Sequence, residues 1–306
     1  MKKKNQNFEK LRVLFIGSAI SSKILLKKSI DLKLNIIGVC TKNKSENSDF
    51  CNLKLEFKNS KIPFKYTNNI NSEENYKWIK NKKPDLIFCF GWSDIINYKI
   101  IKLAKKYILG FHPTELPKNK GKHPIIWSLA LGLKKIASSF FIIKNEKPDS
   151  GNIISQKKVI IKYSDNADSL YKKIMQIAQD QLKEIIYKIV NKKKIIVKKN
   201  FKSNYWRKRN YTDGKIDWRM SAVSIHNLVR ALDKPYMHPH FYLKNKEIKV
   251  VKSRVLSFKN NSKNENFEPG KILFKKDTFF DVKCGSGVLR VLKINHTLNL
   301  TKTNYL

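Results

Sequence analysis

The first 110 residues alternate short, almost uninterrupted apolar runs with stretches of helical spacing, and few folds can accommodate that alternation. VLFIGS (13–18) reads as a buried parallel strand ending in a Gly turn, and IIGVCT (36–41) as a second. Residues 23–34 between them predict one crossover helix. The polar stretch 43–60 reads as irregular, IPFKYT (62–67) as a short strand and residues 72–81 as a helix. PDLIFCFGWSDII (84–96) predicts the strongest strand, ending at Gly91, Trp92 and Ser93. Strands alternating with helices imply right-handed βαβ units and a doubly wound α/β sheet. Only Gly17 follows the first strand, without a GxGxxG pattern, which disfavours a dinucleotide cofactor.

Open α/β sheets bind ligands beyond the carboxyl ends of their strands. GFHPTELPKNKGKHPIIW (110–127) puts His112 in a Pro-bounded turn directly after the apolar run 107–109, at such an end. KPDSGNI (147–153) puts Asp149 in a second turn after the strand-like run 139–144, with Pro148 and Gly151 tightening it. A His and an Asp on neighbouring strand ends make an acid/base pair.

Beyond Trp127 the pattern predicts a helix to about Gly132, a strand pair over 136–144 and 153–161, and a helix over 166–189. That last helix carries Leu170, Ile174, Ile177, Leu182, Ile185 and Ile186 at helical spacing, with Asp168 near its N-terminus where negative charge suits the dipole. Residues 192–204 form a basic, irregular connection, and the domain boundary is placed there: residues 1–200 and 201–306. The second part predicts a helix over 221–232, N-capped by Ser221. Alternating strands follow at 241–245, 248–253, 271–276, 279–284 and 288–294, the pattern of a small barrel-like β domain.

The chain has 306 residues, 64 Lys and Arg against 24 Asp and Glu, and a formal net charge of +40, which invites a nucleic-acid reading. The distribution argues otherwise, because only seven of the 64 are Arg and the Lys residues are spread through nearly every segment beside Asn and Ile. Coding bias acting on solvated faces explains that pattern. Arg clusters only at Arg207 and Arg209, which are candidates for phosphate contacts. Four scattered cysteines without a CxxC, and no Cys/His spacing for zinc, predict a reducing cytoplasm with neither metal nor disulfide. The apolar run 11–16, interrupted by Arg12, is short for a signal segment, and no stretch approaches the roughly 18 apolar residues of a membrane span.

HPTELPKNKGKHPIIW resembles the segment written HPSLLPxxRGxxPIxW in the N10-formyltetrahydrofolate-dependent formyltransferases, and PDSG resembles their DTGD turn. The resemblance covers most of the chain, and the two motifs in this order are specific. It implies a Rossmann-like catalytic domain followed by a barrel-like, OB-type domain. It also implies transfer of a formyl group from N10-formyltetrahydrofolate, as co-substrate and without a metal, to a primary amine. The family's catalytic set is Asn-x-His plus the Asp of the second turn. His112 and Asp149 match two of the three, and Gly110 stands where the family has Asn. In this reading a neutral amine attacks the formyl carbon, His112 shuttles the proton and Asp149 orients the imidazolium. The missing Asn would have supported the oxyanion, a contact worth roughly 2.7 to 4 kcal/mol in an analogous hole. Backbone N–H groups, water or His123 must substitute, and Gly110→Asn is expected to raise activity. Phe90, Gly91, Trp92, Ser93 and Pro148 fall where the resemblance implies contact with the folate. Thr114, Lys120, His123, Arg207, Arg209 and Tyr236 are expected to serve the acceptor. Glu115 for an apolar residue, Lys120 for Arg and Asn152 for an acid are milder departures.

The family's members differ in the amine they formylate. Enzymes acting on initiator methionyl-tRNA carry a long Gly/Arg/Lys-rich loop after the second strand, whereas TKNKSENSDFCNLK (41–54) has no Gly. RKRNYTDGKIDW with RALDKPY also resembles the enzymes that formylate nucleotide-linked amino sugars. The expected acceptor is therefore a nucleotide-linked amino sugar. Methionyl-tRNA, or a catalytically impaired folate- or RNA-binding role, stands as the alternative. A membrane is not among the expected partners, and a homodimer is left open.

Overall fold

The computed structural model describes residues 8–193, 203–234, 236–259, 264–295 and 304–306. They form two compact units, one comprising Met1–Gly121, Ile136–Val159 and Lys172–Trp206, the other Lys122–Lys135, Ile160–Tyr171 and Arg207–Leu306.

The first apolar run becomes β1 (Arg12–Ile16), which feeds α1 (Ile20–Asp31) and then β2 (Asn35–Thr41). Within the stretch read as irregular, Asn52 accepts the Leu55 N–H and so caps a single helical turn, α2 (Leu53–Glu56). β3 (Phe64–Tyr66), α3 (Glu73–Lys82) and β4 (Leu86–Cys89) follow, α3 capped by Ser72. The strand expected to end at Gly91, Trp92 and Ser93 stops at Cys89. A loop takes over, and Asn97 caps the short α4 (Tyr98–Ile101). Next come β5 (Tyr107–His112), β6 (Lys120–Gly121), α5 (Pro124–Ala130), β7 (Lys135–Ile142), β8 (Asn152–Ile160) and α6 (Ala167–Val190).

Seven strands make one sheet in the order β3-β2-β1-β4-β5-β7-β8. The pairs from β3 through β5 are parallel, and β7 runs antiparallel to β5. Val13 to Ile16 and Leu86 to Phe88 are fully buried, as expected of central strands covered on both faces. Each such side chain contributes about 1.5–3 kcal/mol of burial free energy. Phe15, Phe88, Phe90 and Phe140 build an aromatic cluster beneath the carboxyl ends of the strands. Gln181 on α6 is also fully buried, and its amide donates to the Ser138 carbonyl and the Ser155 hydroxyl. That fixes the helix against β7 and β8.

Part of the basic connection, 194–202, lies outside the described residues. Immediately after it, β9 (Tyr205–Trp206) pairs in parallel with β6, placing residues just past the expected boundary in the first unit. The second unit contains α7 (Ala222–Ala231), N-capped by Ser221 as expected, and a five-stranded antiparallel sheet. Its strands are β10 (His240–Leu243), β11 (Lys246–Ser257), β12 (Ile272–Lys276), β13 (Phe279–Lys283) and β14 (Val288–Ile294), in the order β10-β11-β14-β13-β12. β11 is longer than expected, and its register against β14 shifts at three places, irregularities that let a long strand bend.

His226 on α7 stacks on Tyr163 with ring centroids 4.8 Å apart, and its Nδ1 lies 3.1 Å from the Ser253 hydroxyl. Burial, reinforced by Arg230, pushes its pKa down to about 4. The folded state therefore holds a neutral ring where the unfolded chain would protonate below about 6.5. Its contribution to stability is present above that pH and lost as the pH falls toward 4. Melting temperature should accordingly drop over this window, and less steeply in His226→Gln. Identical slopes in the two proteins would remove His226 from the account.

Candidate active site

β5 ends on the candidate residue His112. Gly110 and His112 share one face of the strand, and Phe111 turns to the other, where its ring meets Phe140 at 5.0 Å. Across the antiparallel pair, His112 stands opposite Ser139 and Gly110 opposite Phe141. The His112 side chain is 9% exposed and that of Asp149 18% exposed, with His112 Nδ1 3.6 Å from Asp149 Oδ1. This is ion-pair range, longer than a hydrogen bond. On the other side of the ring, Nε2 is 3.3 Å from the Asn119 carbonyl oxygen. Each ring nitrogen faces an acceptor, and a neutral imidazole can donate to only one of them.

The pair does not arise from neighbouring strand ends, as the sequence suggested. β7 runs against β5, with Ile142 opposite Leu109, so its C-terminal end lies away from His112. The turn beyond it folds back over the face shared by Gly110 and His112. Asp149 sits there with φ +49, and its Oδ2 accepts the Gly121 N–H at 3.2 Å. Ser150 Oγ donates to the Lys147 carbonyl and to Asn145 Oδ1, and the Lys147 N–H also reaches Asn145 Oδ1. These bonds fix the turn. Gly151 is required at its exit, because a Cβ there would run into the Ile142 carbonyl.

Gly110 is not among the glycines with positive φ, so backbone conformation does not explain its presence. The Phe141 ring does. A Cβ built on Gly110 would fall well inside contact distance of three atoms of that ring. The space an Asn side chain would need is filled from the opposite strand, which reverses the expectation that Gly110→Asn gains activity.

The loop between His112 and β6 is held from within. Ser139 Oγ donates to the Thr114 carbonyl at 2.5 Å and Gln156 to the Leu116 carbonyl at 2.9 Å. Thr114 is fully buried with its hydroxyl bonded to the Lys118 carbonyl. Thr114, expected to serve the acceptor, is held inside the loop by this bond. Lys120 is 8% exposed, and its Nζ lies over the Tyr205 ring at 5.4 Å. The Tyr205 hydroxyl donates to the Pro148 carbonyl at 3.2 Å.

Beyond β4, the Phe90 ring is buried in the aromatic cluster, its N–H is bonded to the Ile16 carbonyl and its own carbonyl accepts from Ser22. Phe90 supports the loop from beneath and presents none of these groups to a ligand. Gly91 turns with φ +66, and a Cβ there would meet Ser21, Ser22 and Ala19. The buried indole N–H of Trp92 has no hydrogen-bond partner among the described residues. Lys42, which sequence reasoning passed over, stands over the Trp92 ring at 5.0 Å, pairs with Asp94 at 2.8 Å and reaches Ser93 Oγ at 3.5 Å. Its only sequence signal is its place just after β2. At Cys89, the last residue of β4, burial together with the charges of Asp149 and Asp94 pushes the thiol up to about 12, which disfavours the thiolate.

The remaining expected acceptor residues belong to the second unit. His123 has φ +54 at the entrance to α5, and its pKa is lowered by burial first and then by Arg209, Lys208 and Lys122. Arg207 is exposed and ion-paired. Its guanidinium forms a two-pronged pair with Asp213 and lies over Trp127 at 5.2 Å, while its carbonyl accepts the Trp127 indole N–H. That guanidinium holds the Asp213 carboxyl down at about 2. Arg209 is more buried, its pKa lowered by desolvation and partly restored by Asp213, with Tyr236 contributing a smaller interaction. The two arginines are thus not equivalent. Among the described residues no group of three or more His, Cys, Asp or Glu converges to hold a metal, and no helix is long and apolar enough to cross a membrane.

Comparison with known proteins places this geometry in context. The sequence profile described as formyl transferase matches residues 20–186, and that of the formyl transferase C-terminal domain matches residues 208–299. Over 250 residues, 79% of this chain, the sequence is 35% identical to the bifunctional polymyxin resistance protein ArnA of Wigglesworthia glossinidia brevipalpis. The chain spans only 38% of that relative's length. Among solved structures, the fold matches an N-formyltransferase from Helicobacter canadensis, in complex with folinic acid and dTDP-3-aminofucose. The TM-score is 0.69 and the identity 18%, over 93% of this chain and 99% of that one. It also matches WlaRD, a sugar 3N-formyl transferase crystallised in the presence of dTDP and 5-N-formyl-THF. There the TM-score is 0.66 and the identity 20%, over 94% of this chain and 99% of that one. At these identities the structural matches establish the fold.

Proposed function

The chain belongs to the formyl transferase family, and from that premise we propose that it transfers a formyl group from N10-formyltetrahydrofolate to the primary amine of a nucleotide-linked amino sugar. The observation that carries the reading is the His112–Asp149 pair at the end of β5. When bound, the folate supplies the formyl group. The motif resemblance supports setting the folate's ring against the loop of Gly91, Trp92 and Ser93, where the buried Trp92 indole N–H is without a hydrogen-bond partner among the described residues. With Nδ1 turned toward Asp149, His112 has Nε2 available to take the proton an attacking amine must shed. In that tautomer Nε2 meets the Asn119 carbonyl as a lone pair, and once it has taken the amine's proton it can donate to that carbonyl before passing the proton to the departing folate nitrogen. Asp149 stabilises the ring once it is charged, and the Gly121 N–H keeps the carboxylate aimed.

The acceptor class is supported by the names of the two structural neighbours and by the Gly-free stretch after β2. We assign the sugar nucleotide's phosphates to Lys120, a buried lysine whose Nζ rests on an aromatic face and forms no ion pair among the described residues. Lys120→Met should then raise KM for the sugar nucleotide about tenfold while KM for the folate stays within about twofold, the signature of a binding contact away from the reacting centre. Equal changes in both constants would withdraw the assignment. The reading as a whole is tested with a panel of amines and N10-formyltetrahydrofolate, the products read by mass spectrometry for the gain of one formyl group. Formylation of methionyl-tRNA with no transfer to any amino-sugar nucleotide would overturn the acceptor class. Transfer to no amine would overturn the activity.

A further inference from the structure

We propose that Asn204 and Tyr205 are positioning residues for the His112–Asp149 pair, forming a strap that holds the two turns carrying the chemistry at a fixed separation; the proposal rests on the reading above. The strap pairs with residues about 85 positions earlier in the chain. Asn204 Oδ1 accepts the Asn119 N–H at 2.9 Å, its Nδ2 donates to Asn119 Oδ1 at 3.1 Å, and its carbonyl accepts the Lys120 N–H at 3.1 Å. One residue on, the Tyr205 hydroxyl donates to the Pro148 carbonyl, and its ring lies under Lys120 Nζ.

Each contact ends on a residue that touches the reacting pair or adjoins one that does. Asn119 carries the carbonyl that faces His112 Nε2, Gly121 carries the N–H bonded to Asp149, and Pro148 precedes Asp149. Two successive residues of the strap therefore tie both turns. Burial does not account for this arrangement: Asn204 is exposed and Tyr205 is 54% exposed. An exposed hydrogen bond adds little net stability. A displacement of about 1 Å in a catalytic array, by contrast, can cost about a hundredfold in rate. The strap's effect is accordingly expected in turnover, not in folding.

The test compares wild type with Asn204→Ala, Asn204→Asp and Tyr205→Phe. Asn204→Ala and Tyr205→Phe are each expected to lower kcat about tenfold, with KM for folate and acceptor within about twofold of wild type and melting temperature within about 2 °C. Asn204→Asp keeps an acceptor for the Asn119 N–H and should recover most of the loss. A second readout needs no turnover: in ¹⁵N-histidine NMR spectra the His112 ring signals should move in Asn204→Ala and in Tyr205→Phe. Unchanged kcat, a loss expressed in KM, or no recovery in Asn204→Asp would overturn the proposal, as would unmoved His112 signals. Should Asn204→Ala fail to fold, Tyr205→Phe decides, because it removes one hydroxyl and leaves the ring. If wild type formylates no amine, the activity reading falls and the NMR arm alone judges the strap.

Discussion

Replacing His112 with alanine should lower kcat by at least about a hundredfold and leave a folded protein, and Asp149→Asn should do nearly as much. General acid/base groups contribute about 10² to 10⁴ in rate, and in the proposed mechanism the His112 imidazole moves the proton. Asn at position 149 can still accept the Gly121 N–H, so the turn survives, but it removes the negative charge 3.6 Å from Nδ1. Steady-state kinetics, with circular dichroism as the control for folding, checks both variants. Turnover near that of wild type in either would take that residue out of the mechanism.

The second large effect concerns Gly110, and its sign follows from the opposite strand. Gly110→Asn should lower activity at least about tenfold and destabilise the protein by about 1–3 kcal/mol, the usual cost of forcing atoms into a packed site. Phe141 is 5% exposed and packs with Leu116 and Ile153, so it cannot swing aside freely. In a Phe141→Ala background the same substitution should cost much less, because the colliding ring is gone. A double-mutant cycle in thermal unfolding measures that coupling. Additive effects of the two changes would refute the steric account.

How much of this could be read from the sequence depended on the reach of the interactions involved. β1, β2 and β4 were legible because strands buried on both faces spell continuous apolar runs, and α6 because its buried side is long enough to show a helical period. His112 and Asp149 stood out through the prolines and glycines that punctuate their turns. α2 and α4, four residues each, are too short for any period, and only Asn52 and Asn97 hinted at them. β6 and β9 are two-residue strands that exist through each other, so neither has a local signature. The same holds for Lys42 over Trp92 and for Phe141 over Gly110, which depend on register or tertiary approach. The boundary was hard for another reason. The pieces 122–135 and 160–171 join the second unit through packing while composition runs smoothly across them.

The reversal of β7 against β5 has a bearing on how this site can vary. Since the carboxylate arrives on a return path from the far end of the sheet, the number of residues between Ile142 and Asp149 acts as a ruler for its reach. Each residue of extended chain spans about 3.3 Å, far coarser than a proton transfer tolerates. Loop-length drift, harmless at most surface turns, is therefore expected to be quantised here, one residue more or fewer being enough to take the carboxylate out of range of the imidazole with the strands left in place.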